Sequence, residues 1–286
     1  MINKTEQEIM KNWKGDIDKP VVSVCCITYN HEHYIAEALD SFLMQETDFC
    51  FEVIVRDDAS LDQTADIIRE YEIKYPNIIK PIYEKENGYQ KGIKASPVTF
   101  AKAKGEYIAL CEGDDYWTDA KKLQVQKDFL ESNSEYVICY TNCQPFNENG
   151  FVDINFGGAK RDLTSEELQK STPIFTLTTM FRNVLPEKFP TEYQFVKYGD
   201  LFLWSMLGQH GKGKFLSKIK PSMYRVHLGG IFSKKSNFAK KEMLLDTLFI
   251  LYVRYRNANN KKLELYFMYR FMKLSFIILL RKYFEK

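Results

Sequence analysis

The sequence is short of three things that mark common protein classes: an excess of one charge, paired cysteines and long apolar runs. Lys and Arg number 40 against 38 Asp and Glu, a net charge of only +2. No global basic field for nucleic acid is indicated, and no nucleic-acid partner is expected. The cysteines, Cys25, Cys26, Cys50, Cys111, Cys139 and Cys143, form no C-x-x-C pair. They read as small buried thiols of a reducing compartment, not as zinc ligands. The apolar runs 247–253 and 274–280 fall far short of the roughly 20 residues a spanning helix needs. The first nineteen residues are polar and charged, unlike a signal peptide. The expectation is a cytoplasmic chain that is neither exported by a classical route nor integral to a membrane.

What is present fits an α/β protein. At 286 residues the chain suits one large domain, or a domain with an extension. Aromatics at 15% fit either sugar-stacking surfaces or an interfacial protein. Residues 21–27 are a β-branched apolar run, read as a buried parallel strand. Tyr34, Ile35, Ala38, Leu39, Phe42 and Leu43 then recur at helical spacing. A strand at 51–55, a helix through Thr64 and Tyr71, a strand at 78–83, a helix at 97–104 closed by Gly105 and a strand at 107–111 follow. This alternation predicts a doubly wound sheet, and the polar loops at 28–31, 56–60 and 112–115 all fall at strand ends, where such sheets bind ligands. Residues 144–172 read as a loop with one short helix. From Ala239 onward the chain reads as helical and strongly basic.

The strongest chemical signal is Glu112-Gly113-Asp114-Asp115-Tyr116-Trp117. Three carboxylates on a tight turn after a buried strand repel one another unless a cation sits among them. Oxygen ligands favour a hard ion, Mn²⁺ or Mg²⁺, of the kind that bridges carboxylates to a diphosphate. The bland alternative is a solvated acidic turn capping the next helix.

Over residues 21–233 the chain resembles an inverting family 2 glycosyltransferase of the GT-A fold. The matching pieces are Val24-Cys25-Cys26-Ile27-Thr28-Tyr29-Asn30, Val53-Ile54-Val55-Arg56-Asp57-Asp58-Ala59-Ser60, Ala103-Lys104-Gly105-Glu106-Tyr107-Ile108 and the acidic turn. The resemblance implies that Thr28, Tyr29 and Asn30 line the base and ribose of a nucleotide. It implies that Asp57, with Asp58 beside it, meets the pyrimidine edge, and that Glu112 and Asp114 complete the nucleotide site. The family's metal motif is Asp-x-Asp; here Glu112 replaces its first member, leaving Asp114 and Asp115 as the expected metal ligands. Asp200, in Tyr198-Gly199-Asp200, matches the family's general base. Arg225 and His227, in a Tyr-Arg-x-His segment within 224–233, are expected to neutralise the diphosphate, with His227 reaching the metal. His31 and His33 have only proximity in their favour and stay outside the expected set. Local alternatives are helix-capping roles for Thr28, Asp58 and Asp200.

The implied reaction moves a sugar from a nucleoside-diphosphate donor, UDP favoured, to a hydroxyl of a lipid-linked or surface glycan such as O-antigen or capsule. Rivals are a sugar-phosphate nucleotidyltransferase, which normally has a Gly-rich basic loop where this chain has Thr28-Tyr29-Asn30-His31, and a sugar-nucleotide-binding protein without chemistry. The expected division is a GT-A domain at 1–235, with a donor half at about 20–140 and an acceptor half at 141–235, and a basic amphipathic tail at 236–286. Basic residues interleaved with Phe, Leu and Ile in 239–286 are read as a peripheral contact with the inner face of the cytoplasmic membrane. A packed helical hairpin, serving as a homodimer contact, is the competing expectation.

Overall fold

The computed structural model describes residues 2–153, 157–227, 229–230 and 235–284. Of the 224–233 segment, Leu228 and residues 231–233 lie outside the described residues, as does Lys286 of the basic tail.

The chain opens with a short helix, α1 (Glu6–Met10), started by a capping box between Thr5 and Glu8. Then come β1 (Val22–Thr28), α2 (Ile35–Leu43), β2 (Phe51–Asp57), α3 (Thr64–Lys74), β3 (Ile79–Tyr83), α4 (Ala95–Phe100), β4 (Tyr107–Leu110) and α5 (Lys122–Ser132). The second half adds β5 (Tyr136–Tyr140), β6 (Cys143–Asn147), β7 (Gly150–Phe151), α6 (Ser165–Gln169), β8 (Met180–Arg182), α7 (Gly199–Leu207), β9 (Lys212–Phe215) and β10 (Ser222–Arg225). Helices α8 (Asn237–Asn257) and α9 (Lys261–Phe284) follow.

Among the described residues the main sheet runs β3-β2-β1-β4-β8-β5-β9. β1, β2, β3 and β4 are parallel, and β8 is antiparallel to both β4 and β5. β1 and β2 are buried almost throughout, apolar in the main but with Ser23, Glu52, Arg56 and Asp57 buried among them. Pro81 sits in the edge strand β3, where its missing N–H costs no ladder bond to a further strand.

Two expectations need correction. Helix α4 ends at Phe100 and does not run to Gly105. Gly105 is instead required by close approach: a Cβ there would lie 2.5 Å from the Ser23 backbone nitrogen. The stretch 144–172 holds the expected short helix, α6, but the rest is not all loop. It contributes β6 and β7, and β6 pairs in parallel with β10 to form a second small sheet. That sheet carries the 222–225 segment to the acidic turn, since Tyr116 and Met223 bridge through both backbone bonds.

The tail folds as an antiparallel helical hairpin. Its buried residues Leu248, Leu251, Tyr255, Leu263 and Phe267 share a core with Tyr193, Val196, Phe202 and Met206. No described helix is long and apolar enough to cross a membrane.

Candidate functional site

Parallel register sets the site. Thr28 lies opposite Asp57 and Cys25 opposite Leu110, so the chain leaves β1, β2 and β4 at one edge of the sheet. The loops that follow are tied together. Asp58 N–H donates to Thr28 O at 3.0 Å and Gly113 N–H to Ile27 O at 3.0 Å. Gly113 must be glycine, because a Cβ would lie 2.8 Å from Thr28 Cβ and Oγ1. Asn30 (φ 54°) and Ala59 (φ 58°) take left-handed backbone where the first two loops turn.

The expected nucleotide residues occupy this edge in different ways. Thr28 Oγ1 is buried without a hydrogen-bond partner, and Tyr29 is half-buried beside it. Asn30 is exposed, and its Oδ1 accepts from Leu61 N–H at 2.8 Å. Asp57 is buried and accepts from Ser60 N–H and Oγ. Asp58 is not a helix cap: its carboxylate meets Arg56 at 2.7 Å and accepts from Gly88 and Tyr89 N–H. It fastens the 86–92 loop to the strand end.

The acidic turn is not a solvated cap. Burial, then the charges of Asp114 and Glu112, push the Asp115 carboxyl well above the usual range. Burial pushes Glu112 up to about 7, against a hydrogen bond from Thr176, and its Oε2 has no partner. Burial also opposes ionisation of Asp114, but a hydrogen bond from His227 and the fields of His31 and His227 hold it below the usual range.

Arg225 and His227, singled out by the family resemblance, lie at this turn. Arg225 N–H donates to Asp115 Oδ1 at 2.7 Å and its Nε–H to Asp114 O at 2.8 Å. Its guanidinium pairs with Glu37 and lies between the Tyr34 and Phe146 rings, 4.6 and 4.5 Å from their centroids. His227 Nδ1 accepts from Gly229 N–H at 3.2 Å, and its Nε2 lies 3.0 Å from Asp114 Oδ2.

His31, outside the expected set, belongs here. Its Nε2 is 3.7 Å from Asp114 Oδ2, and its Nδ1 is buried without a partner. Burial lowers its pKa despite Asp114 nearby, which favours the neutral, ligating form. His31, Asp114 and His227 bring one ligand atom each within 4.8 Å of one another. Two imidazoles and a carboxylate around an orphaned nitrogen fit a divalent ion. Asp115, expected as a ligand, stands outside this group and spends Oδ1 on Arg225.

Asp200 lies in the first turn of α7. Burial raises its carboxyl to about 6. It lines a cavity of about 50 Å³ with Glu112, Thr176, Tyr193, Ser96 and Thr99. Asp114 thus faces the two histidines while Glu112 faces Asp200.

Comparison with known proteins gives the family and the fold. Residues 23–187 match the family model for glycosyl transferase family 2. The chain is 36% identical over 217 residues to the uncharacterized protein Rv1520 of Mycobacterium tuberculosis, covering 74% of this chain and 60% of that one. It therefore spans about 60% of that relative's length. It is 29% identical over 228 residues to the UDP-Glc:alpha-D-GlcNAc-diphosphoundecaprenol beta-1,3-glucosyltransferase WfgD of Escherichia coli, covering 79% of this chain and 85% of WfgD. The fold matches S. aureus TarS 1–349 in complex with UDP-GlcNAc with a TM-score of 0.64 at 23% identity, covering 89% of this chain and 72% of that one.

Proposed function

This chain belongs to glycosyl transferase family 2, and we propose that it transfers a sugar, with inversion, from a nucleoside-diphosphate donor to a hydroxyl of a lipid-linked or surface glycan. The observation that carries the reading is the two-sided acidic turn, with Asp114 toward His31 and His227 and Glu112 toward Asp200. Family membership counts against a nucleotidyltransferase. WfgD, named for a diphosphoundecaprenol-linked acceptor, supports the acceptor class. TarS, crystallised with UDP-GlcNAc, supports a UDP donor.

On this reading Thr28, Tyr29, Asn30 and Asp57 form the floor for base and ribose, and Asp58 positions the loop beside them. Asp114, His31 and His227 would hold the divalent ion, and the two imidazoles favour Mn²⁺ over Mg²⁺. When bound, the ion would offset the negative charge of the donor diphosphate. Arg225 positions the turn by holding both Asp114 and Asp115. Asp200, ionised above about pH 6, takes the proton of the acceptor hydroxyl as its oxygen bonds to the anomeric carbon and the nucleoside diphosphate leaves. One base and no covalent nucleophile give inversion. We place the reaction in residues 1–235, at the inner face of the cytoplasmic membrane, with the 236–286 tail at the lipid.

The test is release of nucleoside diphosphate by the purified chain with Mn²⁺ across a panel of sugar nucleotides, with and without lipid-linked acceptors. Turnover with one donor that is lost in Asp114→Ala supports the reading. Absence of binding and turnover with every donor overturns it.

A further inference from the structure

Helix α9 is apolar on two sides. One side, carrying Leu263, Phe267 and Ile278, is buried. Tyr255 of α8 stacks on Phe267 with centroids 5.5 Å apart, and Phe249 lies 5.4 Å from Phe271. The other side carries Leu265, Tyr269, Met272, Phe276, Leu279 and Tyr283, which alternate in steps of four and three residues. That spacing is one continuous helical stripe. Each of the six is between 56% and 76% exposed. Single exposed apolar side chains are ordinary, but six in register form a contiguous patch.

The charge around the stripe identifies its occupant. Lys261, Lys262, Lys273 and Lys282 are exposed and project within about a quarter turn of its midline. Helix α9 carries six Lys or Arg and a single acid, Glu264. Glu264 is half-buried and pairs with Lys261 at 2.9 Å. Lys262 and Lys282 reach Glu166 and Glu242, yet their side chains stay 70% and 57% exposed, and exposed pairs of this kind hold charge weakly. A second copy of the chain would bring two lysine-flanked faces together with no carboxylate on either stripe to meet them.

We propose that this face of α9 docks on an anionic lipid bilayer, with the stripe at the boundary of headgroups and acyl chains and the lysines at the phosphates. It narrows the membrane contact of the tail to one helix face, leaves α8 as the support, and does not depend on the transferase chemistry. Flotation of the full chain with vesicles of phosphatidylcholine and phosphatidylglycerol, against phosphatidylcholine alone, tests it. Binding to the mixed vesicles should be at least roughly ten-fold stronger and fall with salt, since each basic side chain near the surface contributes roughly a factor of five. Met272→Glu combined with Phe276→Glu should reduce binding by about ten-fold or more with an unchanged melting temperature, both sites being exposed. Lys261→Gln with Lys273→Gln should erase the preference for anionic vesicles, which keeps the test decisive if the first variant folds poorly. Vesicle binding that is absent in the parent, or equal in both variants and the parent, overturns the proposal. A dimer in gel filtration that the Glu variant converts to monomer also overturns it, in favour of a second copy.

Discussion

Replacing Asp200 by Asn should stabilise the protein while stopping its turnover. Burial raises the Asp200 carboxyl from 3.8 to about 6. The native protein therefore holds this proton more tightly than the unfolded chain does. Stability is undiminished below about pH 4, falls between about pH 4 and 6 as the unfolded state ionises first, and is level above about pH 6. The full cost is about 3 kcal/mol. The first turn of α7 favours a negative charge by roughly 0.5 kcal/mol, which Asn forgoes. The expected gain for Asp200→Asn is then about 1–3 kcal/mol at neutral pH, vanishing near pH 4, read by urea denaturation of the metal-free protein. Turnover should fall by about 10²–10⁴ with donor affinity unchanged, and in the parent kcat/KM should fall tenfold per pH unit below about 6. A variant less stable at neutral pH, or a gain that persists at pH 4, refutes the electrostatic account. Retained turnover refutes the base assignment.

Three further outcomes follow from named contacts. Asp114→Ala should abolish Mn²⁺ binding measured by titration, and His31→Ala should weaken it about 10–100-fold, whereas His33→Ala, on an exposed side chain, should leave it intact. Gly105→Ala should destabilise by about 1–3 kcal/mol or more in chemical denaturation, because the new methyl meets the Ser23 backbone, which cannot swing away as a side chain does. Arg225→Lys keeps the charge but loses the fork that reaches Asp114 O and Glu37 and the fit between the Tyr34 and Phe146 rings. It should lower stability by about 1–2 kcal/mol and weaken Mn²⁺ binding, and an unchanged metal affinity would show that the arginine does not position the turn.

The first half of the fold was legible because its signals are local. Val22–Thr28 is a largely apolar run and Phe51–Asp57 carries Val53-Ile54-Val55 at its centre, both buried in the sheet, and α2 shows its stripe within nine residues. β8 and the β6–β10 pair were not legible. β8 is three residues long and antiparallel in a parallel sheet, and β6 meets a partner some eighty residues on. Such pairings leave no periodicity in either segment. Gly105 misled for a related reason: it follows a helix-like stretch, but its role is set by β1, far away in sequence. In the site, the acidic turn was found from its three clustered carboxylates after a strand, and the Tyr-Arg-x-His segment from the family resemblance. His31 was missed because its value depends on His227, which only the small second sheet brings within reach. Its one sequence signal was the position directly after the Thr28-Tyr29-Asn30 strand-end loop.

The acidic turn also shows how adjacent like residues acquire unlike roles. Asp114 and Asp115 differ in sequence by nothing but position, yet one is held ionised beside two histidines while the other is buried and pushed toward its neutral form. Glu112, pushed up to about 7, faces a separate cavity. Three full charges at this spacing are costly to bury, and the fold treats them unequally: Glu112 and Asp115 are pushed upward while Asp114 is held low. A divalent ion at His31, Asp114 and His227 would reverse that balance by favouring the charged forms. On the proposed reading, the electrostatic strain of the turn and its affinity for a cation have one origin. That is why Gly113, which packs the turn against Thr28, and Arg225, which holds it from the other side, belong to the site although neither is among the proposed metal ligands.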